Sequence, residues 1–210
     1  LERLADPELP VQAHAAAALK FFFKLDESDE DSAIAVAALR DICKPSLPQI
    51  VQKYLEVMAK LGADDVVAGL ESLIDAFQAD VAPFAPELCK ALIDAFMHYS
   101  SAPNDEEGTK AMAAMECLDA VTSLMEAVCD QPQLLVGMEP VVLPVLAYII
   151  NPDSDAHIDY MDNAFLIFSY FTYYRAVPFS PEIWALVPRT VGCLNTFAID
   201  YVLEAAVPLE

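Results

Sequence analysis

Apolar residues recur along this chain at the three-to-four-residue spacing of an α-helix, and very little interrupts them that could turn a strand. Only five glycines occur in 210 residues, Asn-Gly and Asp-Gly turns are scarce, and the alternating Val/Thr/Tyr runs of strands are lacking. Ala, Leu and Met repeat at helical spacing throughout, and 56% of the residues are hydrophobic, ample for a core. An all-α fold follows as the expectation.

Prolines and polar runs set the helix boundaries. The pattern predicts a helix over Val11 to Lys24, closed by the acidic run Asp26 to Asp31, which reads as a mobile inter-repeat loop. A second spans Ala33 to Leu61 and breaks near Lys44 to Pro48, because Pro45 and Pro48 sit poorly inside a helix. Asp64 to Phe77 follows, capped by Asp64 or Asp65, with Val67, Leu70, Ile74 and Phe77 as its buried stripe. Pro86 to Tyr99 ends in the turn-forming loop Ser100 to Thr109, and Lys110 to Val128 carries Met115, Leu118, Thr122 and Met125 on one side. Glu139 to Ile150, His157 to Tyr174, Ser180-Pro181-Glu182 leading to Asn195, and a last helix from Ile199 complete the series.

Pairing these segments as 46–61 with 64–79, 84–99 with 110–129, 139–150 with 157–174, and 181–195 with 199 onward gives a repeat near the ~40–47 residues of HEAT and armadillo units. In such units each pair buries its stripe against its neighbours. The expected fold class is therefore an all-α, HEAT-repeat right-handed α-solenoid. Residues 1–210 read as one segment of about four helix pairs with incomplete terminal repeats and no separate domains, a piece of something longer. A globular bundle of the same helices is the alternative.

The formal net charge is −22, from 33 acidic against 11 basic residues, which repels nucleic-acid phosphate and anionic membrane and attracts basic proteins. Direct nucleic-acid binding is not expected; solubility is the plain alternative use of the charge. Cys43, Cys89, Cys117, Cys129 and Cys193 are widely spaced at apolar helical positions and read as reduced thiols, not disulfides or a zinc site. The most apolar stretch, Leu134 to Ile150, is interrupted by Glu139, Pro140 and Pro144 and reads as a buried helix, with no membrane insertion.

Several stretches together resemble the importin-β (karyopherin-β) nuclear transport receptors, in the branch of importin seven and importin eight. They are Glu8-Leu9-Pro10-Val11 before an alanine-rich helix, Asp64-Asp65 opening the helix through Asp75, Phe84 to Phe96, Pro103 to Gly108 before the Met112 to Met125 helix, and Ser180 to Pro188. The resemblance implies a HEAT superhelix several times longer than this chain. It implies transport of protein cargo between cytoplasm and nucleus, shuttling through the nuclear envelope. It also implies nucleoporins and the small GTPase Ran as partners of the full-length receptor.

No catalytic pattern accompanies this. There is no G-x-S-x-G, P-loop or H-E-x-x-H, and His14, His98 and His157 lack metal-ligand spacing. No enzyme activity, cofactor or metal is expected. Trp184, between Pro181 and Pro188, is expected to pack between repeats, with a peptide anchor as the alternative. The rings of Phe165, Phe168, Tyr170, Phe171, Tyr173 and Tyr174 wrap around their helix, so core packing must leave some of them outside, open to a partner such as a phenylalanine-glycine nucleoporin repeat or an aromatic cargo residue.

The acids point to a binding face. Glu116, Asp119, Ser123 and Glu126 lie on one side of their helix, Glu71 and Asp75 align in the preceding pair, and Asp159 and Asp162 in the following one. No Lys or Arg occurs between Lys60 and Lys90, nor between Lys110 and Arg175. Stability alone would favour Glu-to-Lys spacing, because opposite charges at i, i+4 gain ~0.2–0.5 kcal/mol per pair and like charges lose as much. Glu71, Asp75, Glu116, Asp119, Glu126, Asp159 and Asp162 are therefore candidate contacts for basic cargo, histone-like or ribosomal-protein-like chains. The competing reading is a structural HEAT scaffold or adaptor subunit in which the acidity is incidental.

Overall fold

The computed structural model describes residues 2–23, 30–61, 64–101 and 109–209. Among the described residues every regular element is helical and there is no strand. The acidic loop at 24–29, the loop at 102–108 and the capping side chains of Asp64 and Asp65 lie outside what is described. The chain forms two compact units, Leu1–Ala127 and Val128–Glu210.

The first unit holds α1 (Leu9–Phe23), α2 (Glu30–Cys43), α3 (Leu47–Leu61), α4 (Asp64–Phe77), α5 (Ala85–Ser100) and α6 (Thr109–Val128). A single 3-10 turn, Lys44–Ser46, joins α2 to α3. Pro45 and Pro48 fall at helix starts, where a missing N–H costs nothing, so the expected break is real but short. The stripe expected on α4 is buried as a set: Val67, Leu70, Ile74 and Phe77 are each at most 1% exposed. Helix α4 closes where Gln78 takes a left-handed φ of 43° and Arg40 of α2 donates to the Ala76 carbonyl at 3.2 Å.

The main partner of α4 is α1, which the sequence pairing left unassigned. The buried Tyr54 hydroxyl of α3 donates to the Ala16 carbonyl of α1 at 2.6 Å, and Gly69 of α4 sits directly against both groups. A side chain there has no room, since a Cβ on Gly69 would stand 2.8 Å from each oxygen. Phe23 meets Phe77 edge to face at 5.4 Å between centroids, closing the same α1–α4 contact.

The second unit holds α7 (Pro132–Ile149), α8 (Met161–Tyr173), α9 (Pro181–Thr196) and α10 (Val202–Ala206), with short 3-10 turns before α8 and around α10. Helix α7 begins seven residues before the expected Glu139. Pro132 nucleates it at the first turn, and burial of Leu135, Met138, Val142, Leu143, Leu146 and Ile149 carries it through Pro140 and Pro144. By length and composition α7 could cross a membrane, although 44% of it is buried within the fold. Buried Glu139 is ion-paired to Arg175, whose guanidinium also donates to the Ala176 and Pro178 carbonyls and so ties the α8–α9 connection to α7.

Helix α8 sorts its aromatic rings by polarity. Phe165, Phe168 and Phe171 are fully buried, whereas Tyr170 is half-buried and Tyr173 and Tyr174 are exposed. Helix α9 starts as its sequence dictates: the Ser180 hydroxyl accepts from the Ile183 N–H at 3.4 Å, ahead of Pro181 at the first helical position. Its buried line is Ile183, Leu186, Thr190 and Cys193, at i, i+3, i+7 and i+10. Trp184 falls off that line and is 60% exposed, touching Phe179 at 5.9 Å; the expected packing role is not observed.

Candidate protein-interaction surface

In the first unit, two of the expected acidic helices meet. Asp75 of α4 is exposed and lies near the Ser123 hydroxyl of α6. Partial desolvation raises the Asp75 pKa and Ser123 opposes the rise. Asp119 and Glu126 are exposed, while Glu71 and Glu116 are half-buried.

Burial on α6 differs from the expected stripe. The residues turned inward are Ala113, Ala114, Cys117, Leu118, Ala120, Val121, Leu124, Met125 and Val128, a small-residue face that lets neighbouring helices approach. Met115 is 39% and Met112 64% exposed, and Met115 stands one turn before Asp119. The methionines read outward because alanines and a cysteine already fill the inner face. The surface is thus acidic with two flexible thioether side chains among the carboxylates, a combination suited to a chain that presents both cations and aliphatic stems.

In the second unit Asp159 and Asp162 are both exposed, next to Asp200 and Glu204 of the segment before and within α10. Desolvation and then the nearby Glu204 charge raise the Asp162 pKa. Burial, reinforced by Asp162, Asp159, Asp200 and Glu204, raises that of Tyr201. This cluster had no sequence signal beyond the two aspartates, because Asp200 and Glu204 come from a different element.

Among the described residues no group of three or more His, Cys, Asp or Glu side chains could hold a metal ion. His14 donates from Nδ1 to the Pro10 carbonyl of its own helix, His98 is exposed, and His157 lies tilted against Tyr148 at 4.1 Å between centroids, where burial lowers its pKa. All five cysteines are free; Cys89, Cys117 and Cys193 are buried, Cys43 and Cys129 partly so, and burial pushes the Cys89 thiol up to about 12.

Packed helices without a strand among the described residues place the chain in the HEAT class of folds. Comparison with known proteins gives the family. The chain is 30% identical over 196 residues to the probable importin-7 homolog of Dictyostelium discoideum, covering 87% of this chain and 18% of that protein. It is 28% identical over 212 residues to the importin beta-like SAD2 homolog of Arabidopsis thaliana, covering 99% of this chain and 19% of that one. Mouse importin-8 is 23% identical over 185 residues, covering 88% and 17% respectively. The chain is a homologue of the importin-β family, in the branch of importin seven and importin eight. Its all-α HEAT-type fold is the class those homologues share. It spans less than a fifth of the length of these relatives. No family model and no solved structure matches it.

Proposed function

We propose that the chain is a stretch of a nuclear import receptor that binds basic protein cargo through the acidic face of α4 and α6, without catalysis. The observation that carries this reading is the set of exposed acids Asp75 on α4 and Asp119 and Glu126 on α6, in stretches without a lysine or arginine from 61 to 89 and from 111 to 174. Glu71 and Glu116 are half-buried; Asp159 and Asp162 form a separate acidic contact in the second unit. Cargo of this chemistry is a Lys/Arg-rich segment of histone or ribosomal-protein type. Ran and nucleoporins act on the full-length receptor, which shuttles between cytoplasm and nucleus; the importin names of the relatives support that setting.

The test uses a fluorescent histone-tail peptide and the variant Asp119→Lys/Glu126→Lys, whose positions are exposed, so the fold is retained. Capture by the unaltered chain should weaken steeply with added salt, since exposed charge contacts are screened beyond ~10 Å at 0.1 M. The double variant should lose at least tenfold in affinity with an unchanged helical spectrum. Undiminished capture by the variant at near-physiological salt would sink the acidic-face mechanism in favour of a scaffold.

A further inference from the structure

Helices α7 and α9 leave an open groove of about 540 Å³ between them, lined by Pro140, Leu143, Pro144 and Ala147 on one side and Ala185 and Leu186 on the other. The helices run in the same direction along it: Arg189 reaches the Ala147 and Ile150 carbonyls, and farther along both chains Gly192 lies against Pro152. Glu139 and Glu182 therefore lie at one end and Arg189 at the other. From residue 139 to residue 147 a helix rises ~12 Å, the length of three or four extended residues.

Pro140 and Pro144 have no N–H, so the carbonyls of Val136 and Pro140 receive no i+4 hydrogen bond inside α7. Both prolines are exposed and line the groove. Glu139 is already engaged by Arg175, but Glu182 is exposed and has no such partner among the described ion pairs. One end thus offers a carboxylate over an apolar floor. The Arg189 end is closed by a guanidinium already turned onto α7, which disfavours a second cation there.

We propose that this groove is a binding site for a short extended peptide that places one arginine or lysine at the Glu182 end and an aliphatic or aromatic side chain two or three residues away, over Leu143, Pro144 and Leu186. The cation's methylene stem lies along Pro140 while its head donates to Glu182. The site is independent of the α4–α6 acidic face, and its ligand differs from a polybasic tail: one cation and one apolar anchor suffice, and a second cation at the Arg189 end is penalised.

Titration of the 210-residue chain with a labelled Ser-Arg-Ser-Ser-Leu-Ser peptide tests this, beside peptides carrying citrulline for arginine or serine for leucine. Each replacement should weaken binding at least fivefold. Glu182→Gln should do the same and should make the chain indifferent to the citrulline replacement; Ala185→Phe, which fills the groove from an exposed position, should abolish binding. Asp119→Lys/Glu126→Lys should leave this binding unchanged, which separates failure here from failure of the cargo reading. Equal affinity for the citrulline peptide, or binding that survives Ala185→Phe, overturns the proposal, the first by showing a merely apolar groove and the second by placing the peptide elsewhere.

Discussion

Replacing Gly69 by alanine probes the closest backbone approach in the first unit. The new methyl carbon would stand 2.8 Å from the Ala16 carbonyl oxygen, 2.8 Å from the Tyr54 hydroxyl and 3.4 Å from its Cε1. The first of these is backbone and the second belongs to a tyrosine that is 0% exposed, so neither can step aside cheaply. Alanine gains about 1 kcal/mol over glycine in a helix interior. Against that, overpacking costs about 1–3 kcal/mol, and if the Tyr54–Ala16 bond opens, a stranded buried partner costs about 1–3 kcal/mol more. With the bond opened, the net loss is about 1–5 kcal/mol, the sum of those three effects. Urea unfolding followed by far-ultraviolet circular dichroism reads the loss, and amide exchange in α1 and α4 locates it. Tyr54→Phe removes one of the two clashing oxygens, so Gly69→Ala should cost less in that background, a coupling of at least ~0.5 kcal/mol. Gly137 is the control: a Cβ there meets nothing within 4 Å, and alanine should stabilise by ~0.5–1 kcal/mol. If Gly69→Ala stabilises as Gly137→Ala does, the three-helix contact is not as described.

Two further outcomes follow from the second unit. Arg175→Ala strands Glu139, whose side chain is 10% exposed, and should destabilise by about 3–5 kcal/mol, read as a lowered thermal midpoint; Arg175→Met with Glu139→Met should recover most of that, and no loss in the single variant would contradict the buried pair. Asp162→Asn tests the acidic cluster. A raised folded-state pKa means the protonated group favours the fold below the unfolded value, an advantage lost as pH rises through the folded value. At neutral pH the ionised carboxylate is therefore a cost that asparagine removes. The gain is a few tenths of a kcal/mol after solvent screening, shrinks with salt, and vanishes below the ordinary aspartate value of about 3.9. Equal stability of both proteins at pH 7 in low salt would remove the repulsion.

The helices were legible wherever two local signals agreed. Helix α9 has Ser180, Pro181 and Glu182 in cap order, and α4 has an uninterrupted apolar line, so both boundaries fall where the sequence puts them. Helix α7 begins at Pro132 instead of Glu139, because burial of its inner face, a tertiary effect with no local signal, extends it toward the N-terminus. On α6 the expected Leu118 and Met125 are buried, but Met115 is not: it outranks alanine on any hydrophobicity scale, yet close packing selects the alanines and leaves Met112 and Met115 outside. The candidate acids were legible as a charge pattern along single helices. The Asp75–Ser123 contact, the company of Asp162 with Glu204 and the α7–α9 groove depend on residues far apart in sequence, and no local spacing carries them.

The exposed position of Trp184 has a spectroscopic consequence. The chain contains one tryptophan, and its indole lies in water on α9 beside the Phe179 ring instead of in a core. Its emission therefore starts at the long wavelengths of a hydrated indole and is open to collisional quenching while the protein is folded. Unfolding of either unit leaves that colour largely unchanged, so an intrinsic-fluorescence melt of this protein reports little of its folding. A blue shift, by contrast, means that something has covered α9, which turns the lone indole into a label for contact, not for folding.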